Sequence, residues 1–379
     1  MTTLKSAVQT RSQPWSLCLV GEDVERKLQD LVADLTRSTS ATGDGKRIAS
    51  GFAYWGGEPT FAWVRSCTDP LYPVMRESIE SFTSGWHEIR PNLTRERYHY
   101  VSFGPGTGQK DATIIHDLTR RNSRLCYVPV DMSAEMLRLV VRGPIRQTGL
   151  PADRILPVQI DFSSPTNLAA LWKLLNILAG DEPIVFSLLG NTLANFDDDS
   201  GLLTMLTARL RSQDRLVLEA ATADRLDGEL ATAAAQEYRQ SRSFCEFATS
   251  ALLRHTNLRI DDTEELVFHG TVEPDRSLLV KVMYQNQTGQ PIRFTLLPNR
   301  TSGWLPAKDT VRLYLTRKYI GAGLKAILSN CNLVELAATH SYFGGDRARL
   351  SFGMSLMLVA PGARHEGPSS ASPANDLWA

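Results

Sequence analysis

Residues 98–111 read YHYVSFGPGTGQKD, a short apolar run followed by three glycines in five residues. A strand that breaks into a glycine loop is a usual ligand site of an α/β sheet, because the crevice lies at the carboxyl ends of the strands. Three patterns compete for Gly104-Pro105-Gly106-Thr107-Gly108-Gln109-Lys110. The dinucleotide pattern GxGxxG needs a glycine where Gln109 stands, and so does the P-loop pattern GxxxxGK[ST]. A GxGxG loop remains, or a plain tight turn.

Downstream the hydrophobic pattern alternates strand and helix. It predicts strands ending at 101–103 and covering 125–130, 155–160, 183–189 and 215–220, with helices over 110–121, 134–141, 165–178 and 202–211. Ser133, and Ser164 followed by Pro165, are good helix-start residues. Strict β–α alternation implies an α/β fold with a doubly wound, mostly parallel sheet. The rhythm stops near 225. Residues 226–256 read as helix, and 264–272, 277–284 and 292–297 read as a β-meander. A helix at 319–329 and an antiparallel pair at 333–339 and 350–359, joined by Gly344-Gly345-Asp346, follow.

Upstream, residues 1–14 are polar and 22–38 carry helical apolar spacing. An aromatic patch follows, with Phe52, Tyr54, Trp55, Phe61, Trp63 and Tyr72; its Gly-Gly and Tyr-Pro breaks read as loops. The tail beyond 361 is rich in Pro, Ser, Ala and Gly and reads as disordered.

Composition narrows the function classes. Lys+Arg and Asp+Glu are equal at 41 each, with no long basic run, which argues against a nucleic-acid or membrane partner held by charge. Clusters such as Arg120, Arg121, Arg124 and Asp197, Asp198, Asp199 read as solvated faces. Five cysteines, never in a CxxC pair, argue against a zinc site or disulfide framework and fit a reducing cytoplasm. The histidines show no ligand spacing, so no metal is expected. The chain start lacks a signal-peptide core, and no apolar run is long enough to span a bilayer.

Two acids give the glycine loop its meaning. Asp131 follows the second strand, where a carboxylate over the sheet edge can accept both hydroxyls of a ribose. Asp161 follows the third, placed to accept an adenine amino group while Phe162 packs on the ring. Loop and acids, after consecutive strands, fit S-adenosylmethionine (SAM), whose amino-acid half lies over a GxGxG backbone where a Cβ would intrude. After the fourth strand, residues 188–196 read LLGNTLANF, with neutral amides and no acid before Asp197. That suits an amine acceptor. A carboxylate would stabilise the ammonium and raise its pKa, whereas an Asn carbonyl orients the amine without that effect. Asn191 and Asn195 can equally satisfy turn backbone.

In combination these motifs resemble the histidine-specific SAM-dependent Nα-methyltransferases of ergothioneine biosynthesis and their relatives. FGPGTGQKDAT is similar to that family's glycine loop with its downstream lysine, YVPVDMSAEML to its second-strand segment and QIDF to its Asp-Phe pair. FSLLGNTLANF is similar to its strand-four segment ending in a substrate Asn, and LYPVMRE to a segment carrying a substrate tyrosine. The resemblance implies a class I SAM-methyltransferase fold, Rossmann-like, with a split α+β substrate-binding domain. Residues 15–77 and 226–317 would form the substrate part, 78–225 and 318–360 the SAM part, and 361–379 a tail. It implies SAM on Gly104, Gly106, Lys110, Asp131, Asp161 and Phe162, and substrate on Tyr72 and Asn195, the two catalytic candidates. Tyr54 and Tyr238 are further substrate candidates. Where the family reads the imidazole of histidine with a glutamate and a serine, this sequence has Tyr314 and Thr316. A site without that carboxylate loses its polar discrimination, which leaves histidine, tryptophan, arginine or a natural-product intermediate open as acceptor.

Methyl transfer from a sulfonium is an in-line displacement, so alignment and a deprotonated nucleophile supply most of the rate. Tyr72 and Asn195 are expected to orient a neutral amine, with a tyrosine or water taking the proton. The expected function is methylation of a nitrogen of a small amino acid or derived metabolite, as in secondary metabolism, by a cytoplasmic monomer or homodimer. A guanidino, hydroxyl or carbon acceptor, and a non-catalytic SAM-binding relative, are the alternatives.

Overall fold

Strands buried at every residue set the centre of the molecule: β2 (His99–Phe103), β3 (Tyr127–Asp131), β5 (Ile184–Leu188) and β6 (Arg215–Ala223). Apolar strands of this kind need helices on both faces, which is the setting of a parallel sheet. The computed structural model, which describes residues 18–19, 24–95, 97–260, 265–297, 300–343 and 352–362, has that arrangement. With β4 (Val158–Gln159) and β1 (Cys18–Leu19) at the edge, the order β1-β4-β3-β2-β5-β6 is parallel throughout. The chain works outward from β2 through β3 to β4 and then jumps back to β5. The switch point, where such sheets hold their ligands, therefore lies between β2 and β5.

β6 carries more than one neighbour on an edge. Antiparallel β13 (Phe352–Pro361) runs along it from Leu216 to Ala223 and pairs outward with β12 (Leu333–Tyr342). The opposite edge is shared by β5 at the start and by β11 (Thr310–Tyr319), which meets Thr222 through Tyr319. From β11 the sheet continues antiparallel through β8 (Ser277–Gln285) to β7 (Leu266–Glu273). Ser133 and Ser164 cap their helices as read from the sequence, accepting from Met136 N at 3.2 Å and Asn167 N at 3.5 Å. No helix among the described residues is long and apolar enough to cross a membrane.

Several expectations change. The three-strand meander is not one unit, because among the described residues β9 (Ile292–Thr295) pairs with β10 (Ser302–Leu305) in a separate two-stranded sheet. The second partner of β8 is β11, whose buried Arg312, Arg317 and Lys318 mask its strand pattern. The helix expected at 226–256 is two, Gly228–Arg239 and Arg242–His255, the second capped by Ser241. The aromatic patch lies on a 3-10 turn (Ser50–Tyr54) followed by Trp55, on the helix Gly57–Cys67, and at Tyr72, the residue before the helix Pro73–Ile89. Gly56 and Pro73 start helices there rather than open loops.

In the acidic run at 197–199, Asp197 and Asp198 are exposed, as a solvated face would be, but Asp199 is not. Asp199 is 1% exposed, pairs with Arg276 and accepts from the Tyr319 hydroxyl at 2.6 Å. Asp198 caps the helix Asp199–Thr207, and Asp197 pairs with Arg312 at 2.7 Å and Arg47 at 3.0 Å. The cationic partners of Asp197 and Asp199 come from remote segments, which no local charge pattern reveals. The Gly344-Gly345-Asp346 loop, residues 1–14 and the tail beyond 362 lie outside the described residues.

Asn191 fixes the loop after β5. Its backbone is left-handed at φ +65°, and its Nδ2 donates to Thr316 Oγ1 and Arg317 O at 3.1 Å each. Its Oδ1 accepts from Ala221 N at 2.8 Å. One amide thus joins three strands. Asn191→Ala leaves buried polar groups unmatched and is expected to cost about 2–4 kcal/mol, seen as a lower urea midpoint at unchanged m.

Candidate functional site

The loop after β2 turns on three left-handed glycines, Gly104, Gly106 and Gly108, at φ +63°, +57° and +78°. Other residues strain in that region. At Gly104 a Cβ would also press on Thr192 Cγ2 at 3.3 Å, whereas at Gly106 it would meet nothing nearer than Trp63 Nε1 at 4.0 Å and would project into open space. That space is a cavity of about 580 Å³ above the loop. Six residues picked from the sequence border it: Tyr54, Gly104, Gly106, Asp131, Phe162 and Asn195. The strand ends bring them together, since residues far apart in the chain leave β2, β3 and β5 on the same side of the sheet.

Asp131 ends β3 with its carboxylate buried at the cavity wall, and Oδ1 accepts from Ser133 N at 2.7 Å. Burial pushes its pKa up to about 7 against the opposing backbone hydrogen bonds of Ser133 and Met132. A carboxylate held this way gains from any ligand that brings hydroxyl donors. A ribose does so, and the Cβ-free floor at Gly106 leaves room for a chain beside it.

The other candidates for the cofactor stand off this space. Lys110 Nζ is buried in an ion pair with Glu219 and donates to Ser78 Oγ at 2.9 Å. It borders a continuation of the cavity, about 400 Å³, beneath the glycine loop, which shares Trp63, Gly104, Gly106, Gly190 and Thr192 with the main space. Asp161 borders a neighbouring cleft, with Ser163 N and Oγ on Oδ1 at 2.9 and 2.5 Å and Lys27 Nζ on Oδ2 at 2.6 Å.

The substrate candidates divide similarly. Asn195 Nδ2 donates to the Tyr54 hydroxyl at 3.3 Å, and that hydroxyl meets the Tyr314 hydroxyl at 3.2 Å. Aromatic rings surround them, with Tyr54 5.2 Å from Trp63 and 5.0 Å from Phe247, and Tyr314 5.4 Å from Phe244. Tyr72 and Tyr238 do not reach the cavity. Tyr72 is 2% exposed behind Trp63, with Tyr238, fully buried, behind it at 5.6 Å. Thr316 acts on Asn191. Burial holds the phenols of Tyr54, Tyr72, Tyr238 and Tyr314 well above their usual value. The expectation that a tyrosine takes the proton therefore gives way: these hydroxyls stay neutral and serve as hydrogen-bonding groups.

Residues not selected as candidates complete the walls. Trp63, Met132, Met136, Thr192 and Phe196 all border the cavity. Met132 and Thr192 flank residues that the motifs did select, but no pattern marks a methionine as lining. Glu219 had a usable signal, a single acid inside the apolar strand LVLEAA, since an isolated buried acid needs a partner.

Asp131 also sets a pH dependence. Its folded pKa of about 7 lies above the unfolded value near 3.9, so the folded state holds the proton more tightly. Stability is full below the unfolded value and is lost as pH rises through about 7. Asp131→Asn removes the loss. The variant is expected to unfold at a higher temperature than wild type at pH 8, with the gap closing towards pH 4; Asp111, raised to about 6, contributes equally to both proteins.

A comparison with curated proteins gave no match. Among solved structures, a SAM-dependent methyltransferase from Clostridium acetobutylicum is 14% identical, with 79% of this chain and 95% of that one covered at a TM-score of 0.36. The magnesium protoporphyrin IX methyltransferase of Synechocystis, solved with S-adenosylhomocysteine bound, is 9% identical, with 82% and 96% covered at 0.40. The family model described as histidine-specific methyltransferase, SAM-dependent, matches residues 31–341, a span that holds the glycine loop, both acids, Asn195 and Tyr314. With that match over most of its length, the chain belongs to this family and is a SAM-dependent methyltransferase of class I fold.

Proposed function

We propose that the cavity takes SAM with its ribose at Asp131 and its amino-acid end over the glycine loop, and that the enzyme methylates a nitrogen of a small amino acid or an amino-acid-derived metabolite. One observation carries this reading. Asn195 and Tyr54 put two neutral hydrogen-bonding side chains at the wall of the cavity that the glycine loop floors, and the buried Tyr314 hydroxyl backs Tyr54.

Bound SAM supplies an electrophilic methyl group on a sulfonium. The chain's own groups do the rest. The Asn195 carboxamide and Tyr54 hydroxyl orient the amine and carry no charge that would favour its ammonium form. Trp63, Phe162 and Phe196 border the same space with apolar faces that limit water. Since the tyrosines stay protonated, the amine enters neutral or gives its proton to water. Lys110 is assigned to the amino-acid end of the cofactor and Asp161 to the adenine end. Tyr72 and Tyr238 support Trp63 and Tyr314 from behind, and Thr316 acts through Asn191.

The substrate part is proposed to combine 15–77 with 226–317. Tyr54 and Trp63 come from the first segment and Phe247 and Tyr314 from the second, while Gly104, Asp131 and Phe162 come from 78–225. Tyr314, a neutral phenol among rings, stands where the family resemblance puts a carboxylate. This supports an acceptor read by aromatic faces rather than by charge.

Mass spectrometry of incubations with SAM and each free amino acid is the direct test. Added methyl on an amino nitrogen is expected; methyl found only on a guanidino, oxygen or carbon atom overturns the reading. Asn195→Asp should move the pH–rate profile upward, since a carboxylate raises the pKa of the amine it touches. Asn195→Ala should lower kcat/KM by roughly 10- to 100-fold, the size of one or two lost orienting hydrogen bonds. In calorimetry Asp131→Ala should bind SAM at least ~10-fold more weakly than wild type.

A further inference from the structure

We propose that Lys27 is a cofactor-binding residue that reads the adenine ring together with Asp161; the proposal rests on the SAM placement above. Lys27 precedes the stretch matched by the family model, which begins at residue 31. Its helix, Val24–Leu35, is anchored by Leu31 and Leu35, both fully buried in a core with Phe52 and Ile48. The preceding strand β1 pairs in parallel with β4, two residues before Asp161, so this part of the chain enters beside the acid.

Lys27, Asp161 and Ser163 border a cleft of about 1200 Å³ that shares Gly51, Met132 and Phe196 with the main cavity. A ligand with its ribose at Asp131 points its base past Met132 towards this cleft. The Asp161 carboxylate it meets is already engaged. Oδ1 takes both donors of Ser163, and Oδ2 lies 2.6 Å from Lys27 Nζ, with the lysine side chain 13% exposed. The exocyclic amine of adenine must therefore share Oδ2 with an ammonium group.

The chemistry makes that sharing favourable. The adenine edge presents a donor, the N6 amino group, next to an acceptor, ring N1. Asp161 Oδ2 and Lys27 Nζ present an acceptor next to a donor at nearly the same spacing. An ammonium has three N–H donors. One serves Asp161, and a second turned to N1 completes a two-point reading of the base. Asp30 lies 3.9 Å from the same Nζ, on the helix's next turn, and helps hold the lysine in place.

The test compares binding of S-adenosylhomocysteine with that of its 1-deaza analogue, in which ring N1 is replaced by C–H. Wild type is expected to prefer the natural compound by roughly tenfold or more, the effect of one hydrogen bond to a charged donor. Lys27→Met should bind both compounds equally, and Lys27→Arg, which keeps a donor, should retain the preference. Equal affinities in wild type overturn the proposal without any variant, and so does an undiminished preference in Lys27→Met. Failure of wild type to bind either compound overturns the cofactor placement itself, and this proposal with it.

Discussion

Glu219 lies in β6 with a carboxylate on which three other elements close. Its Oε2 accepts from Gly190 N at 2.7 Å and pairs with Lys110 Nζ, which in turn donates to Ser78 on the helix Pro73–Ile89. Lys110 opens the helix that follows the glycine loop, and Gly190 begins the loop that carries Asn191 and Asn195. The pair therefore fixes, from beneath, the two loops that face each other across the switch point. Both partners are almost fully buried, so removing either one leaves an uncompensated charge at a cost of about 3–5 kcal/mol. In the proposed reading, a floor of this kind holds the donor side and the acceptor side of the cavity at one separation, which an in-line displacement requires.

Above that floor, burial governs the chemistry. It raises Asp131 because desolvation outweighs the backbone hydrogen bonds of Ser133 and Met132, and it raises the tyrosines because a buried phenolate loses its water. The consequences differ. Asp131 is left in need of hydroxyl donors, which a ribose supplies. The tyrosines are left as neutral groups, suited to orienting an uncharged nucleophile and unsuited to removing its proton. Asp161 carries the opposite arrangement, with a cation already beside it, and so presents a donor and an acceptor together.

Much of the central sheet was legible because its signals are local. Apolar runs of strand length, Ser133 and Ser164 as caps, and three glycines in five residues each report on their own few positions. The failures share a cause as well. β11 has cations where a strand rule expects apolar residues, and those cations are buried only because Asp197, Asp199, Glu273 and Glu237 meet them from elsewhere in the chain. Asp199 was misread for the mirror-image reason.

The sequence by itself determined the doubly wound sheet, the glycine loop and the acids that follow β3 and β4, because each depends on backbone geometry within one strand–loop unit. Only the tertiary structure decided which candidates share a space. Tyr54 and Asn195 reach the cavity while Tyr72 and Tyr238 stand behind Trp63, and Lys27 reaches Asp161 across 134 positions of chain. Those outcomes depend on how separate elements pack against one another, and side-chain spacing along the chain carries no record of that packing.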